Sequence, residues 1–250
     1  MVKVSVVIPT YNRAHVVGRS IDSALNQTYQ DIEILIVDDR STDETFEAVK
    51  PFFRHPQVRY LRHEKNKGHQ AARNTGIRNA RGDYVAFLDS DDTWIPEKIE
   101  LQLDAINKKG EDRVVLTGWK MVNGPRQRLF EKHYEGYVYP ELLASDGPGY
   151  GCMLVPREWL RQIGFLDESI LAFADWDTCI SLSKLFEFDR AGEFSRSKAH
   201  MITAFKIDST NPAGFLLALS ALFGGGVYHL VLTLYFKWVG LSIHIRSSSQ

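Results

Sequence analysis

The sequence has little cysteine. Its two cysteines, Cys152 and Cys179, lie too far apart for the paired-ligand spacing of a zinc site. We interpret them as buried thiols in a reducing compartment, because free cysteine is among the most buried residue types. An excess of charge is also missing, since 30 basic side chains balance 31 acidic ones to a formal net charge of -1. The overall charge therefore gives no reason to predict nucleic-acid binding.

Internal repeats, low-complexity segments and a signal peptide are missing as well. The first residues, "MVKVSVVIPTYN", enter an apolar run and a turn directly, without a charged leader or a small-residue cleavage site. We therefore expect a cytoplasmic protein. With 44% hydrophobic and 12% aromatic residues, the 250 residues suffice for one large α/β domain or two small ones.

Short apolar runs alternate with segments of helical periodicity through the first 93 residues. Continuous apolar runs of this kind are typical of strands covered on both faces. The predicted strands are Val4–Pro9, Ile32–Asp39, 57–63 and 83–89. The predicted helices between them span 14–27, 41–53 (with Ser41 or Thr42 as its cap) and 68–80. This alternation predicts an α/β fold with a doubly wound, mostly parallel, Rossmann-like sheet.

Beyond residue 93 the alternation is looser. The pattern predicts a helix over 96–109, one further strand over 113–122, a Gly/Pro-rich loop over 145–151, a short strand and helix over 152–164, and a helix over 175–188. This second part of the chain lacks the regular βαβ succession of the first part.

Polar side chains follow three of the predicted strands at the point where each strand ends. They are Tyr11-Asn12, Asp38-Asp39 and the segment Asp89–Asp92. In open α/β sheets, ligands bind beyond the carboxyl ends of the strands. The sequence therefore predicts one binding site at this edge of the sheet.

The segment "AFLDSDDTW" places Asp89, Asp91 and Asp92 directly after a buried strand. Carboxylates this close together repel one another unless a cation lies between them. Mg²⁺ and Mn²⁺ prefer oxygen ligands and are often held by one or two carboxylates together with substrate phosphates. The alternative is a solvated acidic turn that caps the following helix.

The other residues of this edge suit a nucleotide. Asp38 and Asp39 can accept from a base N–H or a ribose hydroxyl, and the ring of Tyr11 offers a surface on which a base can stack. Arg73 carries a planar charged fork that matches a phosphate. Gly76 and Gly82 are interpreted as structural, because glycine is enriched at helix ends.

Four segments together resemble glycosyltransferase family 2. They are "SVVIPTYNR", "QTYQDIEILIVDDRSTDET", "NKGHQAARNTGIRNARGDYVAFLDSDDTW" and "FADWDTCISL", and the resemblance runs from residue 3 to about 185. It implies the GT-A fold, a nucleotide-diphospho-sugar donor, a divalent metal and inversion at the anomeric carbon. It also implies that Pro9, Tyr11 and Asp39 contact the nucleoside, with Asp38 as their neighbour.

The same resemblance assigns roles to four aspartates. Asp89, Asp91 and Asp92 match the acidic metal and ribose motif, in which Asp91 or Asp92 coordinates Mn²⁺ or Mg²⁺ directly. In "ADWD", Asp175 matches the family's catalytic base. The residue before the base is usually acidic but is Ala174 here, which removes a like charge, so we expect Asp175 to be less readily protonated than its counterparts.

A second departure concerns a late histidine of the family that contacts the metal. Asp208 aligns with it, and His200 lies eight residues earlier. The third protein ligand of the metal is therefore Asp208, His200 or absent.

The chain ends in an apolar segment, Ala213–Phe236, in which His229 is the only side chain that can carry a charge near neutral pH. Gly224–Gly226 divides it into halves of about 11 residues, each about 16 Å long as a helix and too short for a hydrocarbon core of about 30 Å. We predict a GT-A catalytic domain over 1–210, with a nucleotide-sugar-binding part (1–93) and an acceptor-side part (94–210). The tail over 211–250 is predicted to lie on the cytoplasmic face of the membrane or to form a homodimer, with a true span or ordinary core packing as alternatives.

These features predict an inverting, metal-dependent glycosyltransferase. It would move a sugar from a nucleotide-diphospho-sugar, with UDP the commonest in the family, to a growing glycan or a lipid-linked saccharide. One alternative is a nucleotidyltransferase, although "PTYNRAH" after the first strand is aromatic and glycine-free. The other alternative is an inactive nucleotide-sugar-binding protein, which Ala174 and the missing histidine keep open.

Overall fold

The computed structural model describes residues 3–123, 126–130, 134–144, 147–191 and 200–203, with the backbone alone at 123, 126 and 200–203. In these ranges, no helix is both long and apolar enough to cross a membrane. The predicted tail over 211–250, Asp208 and the side chain of His200 lie outside the described residues, so the predictions made for them stay predictions.

The described secondary structure alternates between strands and helices in the first half of the chain. The elements are β1 (Val4–Thr10), α1 (Val17–Leu25), β2 (Ile32–Asp38), α2 (Thr45–Val49), a 3-10 helix (Lys50–Arg54), β3 (Val58–Arg62), α3 (His69–Asn79), β4 (Tyr84–Phe87), α4 (Lys98–Lys109), β5 (Val114–Leu116), β6 (Gly118–Asn123), β7 (Arg126–Phe130), α5 (Tyr139–Ala144), a second 3-10 helix (Tyr150–Cys152), β8 (Met153–Pro156), α6 (Arg157–Gln162), α7 (Ala174–Ser183), β9 (Phe188–Arg190) and β10 (His200–Thr203).

A seven-stranded sheet forms the centre of the fold, in the order β3-β2-β1-β4-β8-β5-β9. The first four strands are parallel to one another. β8 is antiparallel to both of its neighbours, and β5 is parallel to β9. The predicted mostly parallel sheet is confirmed.

The core lies in two layers, one on each face of this sheet. Alternate residues of β1 enter opposite layers, so that Ile8 packs with α1 and α4 while Val7 packs with α3, and both side chains are fully buried. Fully burying an aliphatic side chain of this size contributes about 1.5–3 kcal/mol. The doubly wound arrangement is therefore present as predicted.

The predicted single strand over 113–122 is wrong, because two strands occupy this segment. β5 belongs to the large sheet, whereas β6 pairs with β7 and β10 in a separate three-stranded sheet. Thr117 lies between them and donates its N–H to the carbonyl of Cys152 at 3.1 Å. Hydrophobic periodicity does not reveal a change of sheet inside an apolar run.

Gly76 lies inside α3 rather than at its end. A Cβ atom at this position would stand 2.3 Å from Cγ1 of Val7. Glycine is therefore required because α3 approaches β1 closely. Gly82 is structural for a similar reason, since a Cβ there would lie 2.7 Å from the backbone nitrogen of Ser5.

Candidate active site

The three predicted polar clusters do meet at one edge of the sheet. β1 lies between β2 and β4, with Thr10 opposite Asp38 and with Val7 opposite Phe87. Pro9 is buried inside β1, whereas Tyr11, the first residue after the strand, is 44% exposed. The ring of Tyr11 is thus accessible to a ligand at the carboxyl ends of the strands.

The loops after β1 and β2 are tied together. The side-chain oxygen of Asn12 accepts a hydrogen bond from the N–H of Thr42 at 2.8 Å. In return, the N–H of Asn12 donates to the hydroxyl of Ser41 at 3.0 Å, and that of Arg13 donates to Thr45 at 2.9 Å. These bonds fix the segment that carries the exposed aromatic ring and the guanidinium of Arg13.

This linkage explains why the predicted helix cap is wrong. α2 begins at Thr45, with Glu44 as its N-cap residue, and the Glu44 side chain makes no capping bond in the described structure. The hydroxyl of Ser41 is used by the neighbouring loop instead. Asp43 accepts from the N–H of Thr45 at 3.0 Å and so stabilises the first turn.

Asp38 lies at the end of β2 and is fully buried. Its carboxylate accepts from the N–H of Ser41 at 2.7 Å and from the hydroxyl of Tyr60, and Nε of Arg62 lies 3.5 Å away. Burial, followed by this hydrogen bond, raises the pKa of the Tyr60 phenol. Asp38 therefore organises the floor of the site and has little surface left for a ligand.

Asp39 is also buried, and its carboxylate holds the loop after β3. It accepts from the N–H groups of Lys67 and Gly68 at 2.8 and 2.7 Å. Nδ1 of His63 lies 2.7 Å from the same carboxylate, and Nε2 of His63 lies 2.8 Å from the hydroxyl of Thr75. Sequence reasoning missed His63, because a lone histidine at the end of a strand carries no recognisable spacing.

The acidic turn exposes two of its three aspartates. The side chains of Asp89 and Asp91 are 40% and 47% exposed, whereas Asp92 is only 7% exposed. The backbone carbonyl of Asp92 accepts from the hydroxyl of Ser20 at 2.7 Å. Of the two predicted metal ligands, Asp91 is the one whose carboxylate faces the open edge.

Charge repulsion is built into this turn. Burial and the charge of Asp89 raise the pKa of the Asp91 carboxyl, and Arg13 at 3.9 Å opposes this shift. A divalent cation would relieve the repulsion. In the described part of the chain, no cluster of three or more His, Cys, Asp or Glu side chains is arranged to hold a metal. The two partly exposed carboxylates, Asp89 and Asp91, fit a cation held by one or two carboxylates together with substrate phosphates.

Arg73 reaches the acidic turn from α3. Its Nη2 lies 2.5 Å from Oδ1 of Asp89, and its Nη1 donates to Oε1 of Gln70 at 2.9 Å. The side chain is 7% exposed, and its Nε–H has no hydrogen-bond partner among the described residues. An unpaired buried donor is unusual in a folded protein, and this one is enclosed by protein atoms, so the Nε–H itself is not open to a ligand.

Asp175 lies in the first turn of α7, after Phe173, which has the left-handed φ of 60°. Burial raises the pKa of the Asp175 carboxyl above its ordinary value. The N–H of Trp176 at 2.9 Å and the charge of Arg73 oppose this shift, and the charge of Asp89 adds to it. The predicted difference in protonation between Asp175 and its counterparts in the family, where an acid precedes the base, stays a prediction.

Comparison with known proteins identifies the family of this chain. The sequence profile described as Glycosyl transferase family 2 matches residues 5–164. Escherichia coli WfgD, named as a UDP-Glc:α-D-GlcNAc-diphosphoundecaprenol β-1,3-glucosyltransferase, is 42% identical over 165 residues, which cover 65% of this chain and 63% of WfgD. Two rickettsial relatives, both named as uncharacterized glycosyltransferases, match this chain over only 24% and 56% of their own length.

Two solved structures share the fold. S. aureus TarS in complex with UDP-GlcNAc has a TM-score of 0.67 at 21% identity, and the match covers 82% of this chain and 59% of that one. The mannosyltransferase PcManGT from Pyrobaculum calidifontis, in complex with GDP-Man and Mn²⁺, has a TM-score of 0.62 at 18% identity and covers 94% and 69% of the two chains. The GT-A fold is confirmed, and the chain belongs to glycosyltransferase family 2.

Proposed function

We propose that the chain transfers a sugar from a UDP-sugar to a hydroxyl group of a glycan or lipid-linked saccharide, with inversion. One observation carries this proposal. Arg73, which pairs with Asp89 on the proposed donor side, lies 4.3 Å from the ring centre of Tyr150, and the hydroxyl of Tyr150 lies 2.8 Å from the carbonyl of Ala174, the residue before Asp175. Groups for activating a donor diphosphate and for deprotonating an acceptor therefore lie within electrostatic range of each other.

The donor side is suited to a nucleoside diphosphate. Tyr11 offers its exposed ring to a base, and the guanidinium of Arg73 offers its positive charge to a phosphate. Asp91, assisted by Asp89, would hold Mn²⁺ or Mg²⁺. When bound, such a cation neutralises charge that develops on the leaving diphosphate.

The acceptor side needs a base that is ionised and within hydrogen-bond reach of the attacking hydroxyl. Asp175 supplies this carboxylate. A single base and one displacement invert the anomeric carbon, whereas retention by double displacement requires a second, nucleophilic carboxylate. Asp177 is unsuited to that role, because two residues along a helix turn its side chain by about 200°.

The names of similar proteins support the substrate class. WfgD acts with UDP-Glc on a diphosphoundecaprenol-linked sugar, and TarS binds UDP-GlcNAc. Mn²⁺ accompanies GDP-Man in the mannosyltransferase. A lipid-linked acceptor also fits the apolar tail, and we propose that this tail holds the protein at the cytoplasmic face of the membrane.

The test is UDP release from a panel of UDP-sugars, with lipid-linked and oligosaccharide acceptors, in Mn²⁺ and in EDTA. We expect acceptor-dependent release in Mn²⁺, a product of inverted configuration by NMR, and unchanged release for Asp177→Asn. A protein whose melting temperature rises with UDP-sugar and Mn²⁺ but which transfers nothing would be a binding protein. Absence of any such rise would contradict the donor assignment.

A further inference from the structure

Tyr150 joins the two halves of the site, and no sequence motif pointed to it. The residue precedes β8 and is 5% exposed. The guanidinium carbon of Arg73 lies 4.3 Å from the centre of its ring, and the ring of Phe87 lies 5.2 Å away, centre to centre. Cation–π contacts of this kind are stronger when they are desolvated than at an exposed site.

The hydroxyl of Tyr150 has partners on both sides. It accepts from Nε2 of Gln70 at 2.8 Å. The carbonyl of Ala174 lies 2.8 Å away and the hydroxyl of Thr178 lies 2.7 Å away, and Thr178 itself donates to Ala174 at 2.8 Å. Because the phenol has a single proton, it donates to one of these two oxygens. Ala174 begins α7 and Thr178 lies one turn further along the same helix, so both oxygens flank the turn that carries Asp175.

The same network fixes Arg73. Gln70 donates to Tyr150 and accepts from Arg73, so that the three side chains form a closed ring of two hydrogen bonds and one cation–π contact. The free end of the guanidinium is paired with Asp89. Gln70, Tyr150 and Asp89 therefore orient Arg73 together. Of these three residues, Tyr150 also bonds to α7.

The first turn of α7 depends on such outside contacts. In the described structure, the N-cap residue Phe173 makes no side-chain capping bond, and its left-handed backbone is an uncommon conformation for a large side chain. Gly149, next to Tyr150, faces this turn, because a Cβ added there would come into ordinary van der Waals contact with Oδ2 of Asp175, at 3.7 Å. The loop that carries Tyr150 thus forms the wall beside the base.

We propose that Tyr150 is a positioning residue that holds the carboxylate of Asp175 in register with Arg73, so that base and donor diphosphate keep a fixed separation. This inference rests on the proposed function. A misplacement of about 1 Å at a reacting group costs up to about 100-fold in rate. The hydroxyl of Tyr150 therefore acts on turnover, while its ring acts on donor binding through Arg73.

Tyr150→Phe tests the role of the hydroxyl, because it keeps the ring. The matched control is Tyr84→Phe, whose hydroxyl bonds to Asp112 at 2.5 Å and whose ring is also 5% exposed, at the opposite end of β4 from Asp89. We expect Tyr150→Phe to lower kcat by about 10- to 100-fold, with the Kd for UDP and Mn²⁺ changed less than about threefold. Tyr84→Phe should leave kcat unchanged.

Double variants distinguish a positioning role of Tyr150 from a general loss of structure. If Tyr150 acts through the base, Tyr150→Phe should lower the rate of Asp175→Asn no further. Thr178→Val should lower kcat by a smaller factor. The two losses should not be additive, since both residues act on the start of α7. Thr178→Val also replaces Tyr150→Phe as the test if the latter does not fold. The inference is overturned by a kcat of Tyr150→Phe equal to that of Tyr84→Phe, or by an equal loss in the Asp175→Asn background. Full activity of Asp175→Asn would instead overturn the proposed function.

Discussion

Arg73 and Asp89 are joined across the site, with Nη2 of the arginine 2.5 Å from Oδ1 of the aspartate. The arginine comes from α3 and the aspartate from the turn after β4, so the pair links two successive elements at the carboxyl edge of the sheet. Its outer side, where Asp89 is 40% exposed, is open to a ligand.

Replacing the guanidinium tests its role toward the donor. Arg73→Lys keeps the charge but loses the fork that contacts Asp89 and Gln70 together. We expect the Kd for UDP in Mn²⁺ to rise about 10- to 100-fold, as expected for losing one charge-assisted hydrogen bond of about 1.5–3 kcal/mol, measured by calorimetry. Arg78→Lys is the control, because Arg78 lies on the same helix with its side chain 50% exposed. Equal effects of the two changes would contradict a donor contact at Arg73.

The two predicted metal ligands should behave differently. Asp91→Asn removes an exposed, mutually repelling carboxylate, so we expect an intact fold, no rise in melting temperature with Mn²⁺ and UDP, and loss of transfer. Asp92→Asn alters a buried side chain, and we expect a lower melting temperature as well as lost activity. Asp104→Asn, at an exposed position of α4, is the control. Retention of Mn²⁺-dependent transfer in Asp91→Asn would rule out coordination by that residue.

The raised pKa of Asp175 has consequences for both activity and stability. The base must be ionised, so kcat should fall as pH decreases through this raised pKa, beginning at a higher pH than for an ordinary aspartate. The folded state binds this proton more tightly than the unfolded state. The contribution of Asp175 to the free energy of unfolding therefore falls as the pH rises from the pKa of the unfolded state to the raised pKa of the folded state. At neutral pH, Asp175→Asn should therefore raise the melting temperature while lowering transfer by about 10² to 10⁴-fold. Donor binding should be retained, and a comparable loss of donor affinity would contradict the role of Asp175 as base.

Two glycine substitutions test the packing of the sheet. Gly76→Ala places a Cβ against Val7 and should destabilise the fold by about 1–3 kcal/mol through overpacking. Gly18→Ala in α1 places its Cβ at an ordinary 3.7 Å from Phe52, and should be neutral or stabilising by up to about 1 kcal/mol. Urea unfolding measures both. Combining Gly76→Ala with Val7→Ala should cost less stability than the sum of the two single losses, because the added Cβ then has room. Additive losses would place the strain elsewhere.

The tail prediction is tested by sedimentation with vesicles. We expect the full chain to pellet with vesicles that contain anionic lipid, and Lys237→Gln with Arg246→Gln to reduce the pelleted fraction. High salt should weaken the association without abolishing it, because apolar burial and charge both contribute. Protein that stays in the supernatant as a dimer would instead assign the tail to a subunit interface.

The sequence by itself determined the first half of the fold and the location of the site. Alternating apolar runs and helical segments specify a parallel sheet, since such strands are buried on both faces, and the polar residues after Thr10, Val37 and Leu88 must then gather at one edge. The exposed turn at Asp89 and Asp91 was visible for the same reason, because a cluster of carboxylates after a buried strand has no packing role.

Only the tertiary structure decided which of these side chains are buried in hydrogen bonds within the protein and which are exposed to a ligand. Asp38 and Asp39 are adjacent in sequence and of the same residue type, yet their separate partners on β3 and on the loops after β2 and β3 make both of them structural anchors. Tyr150 contacts α7 directly, and Gln70 bonds to Tyr150 and Arg73, although these elements lie far apart in the chain. The hydrogen-bond partners of a buried carboxylate and the contacts of a single tyrosine cannot be predicted from local periodicity. Both depend on which segments the folded sheet brings together.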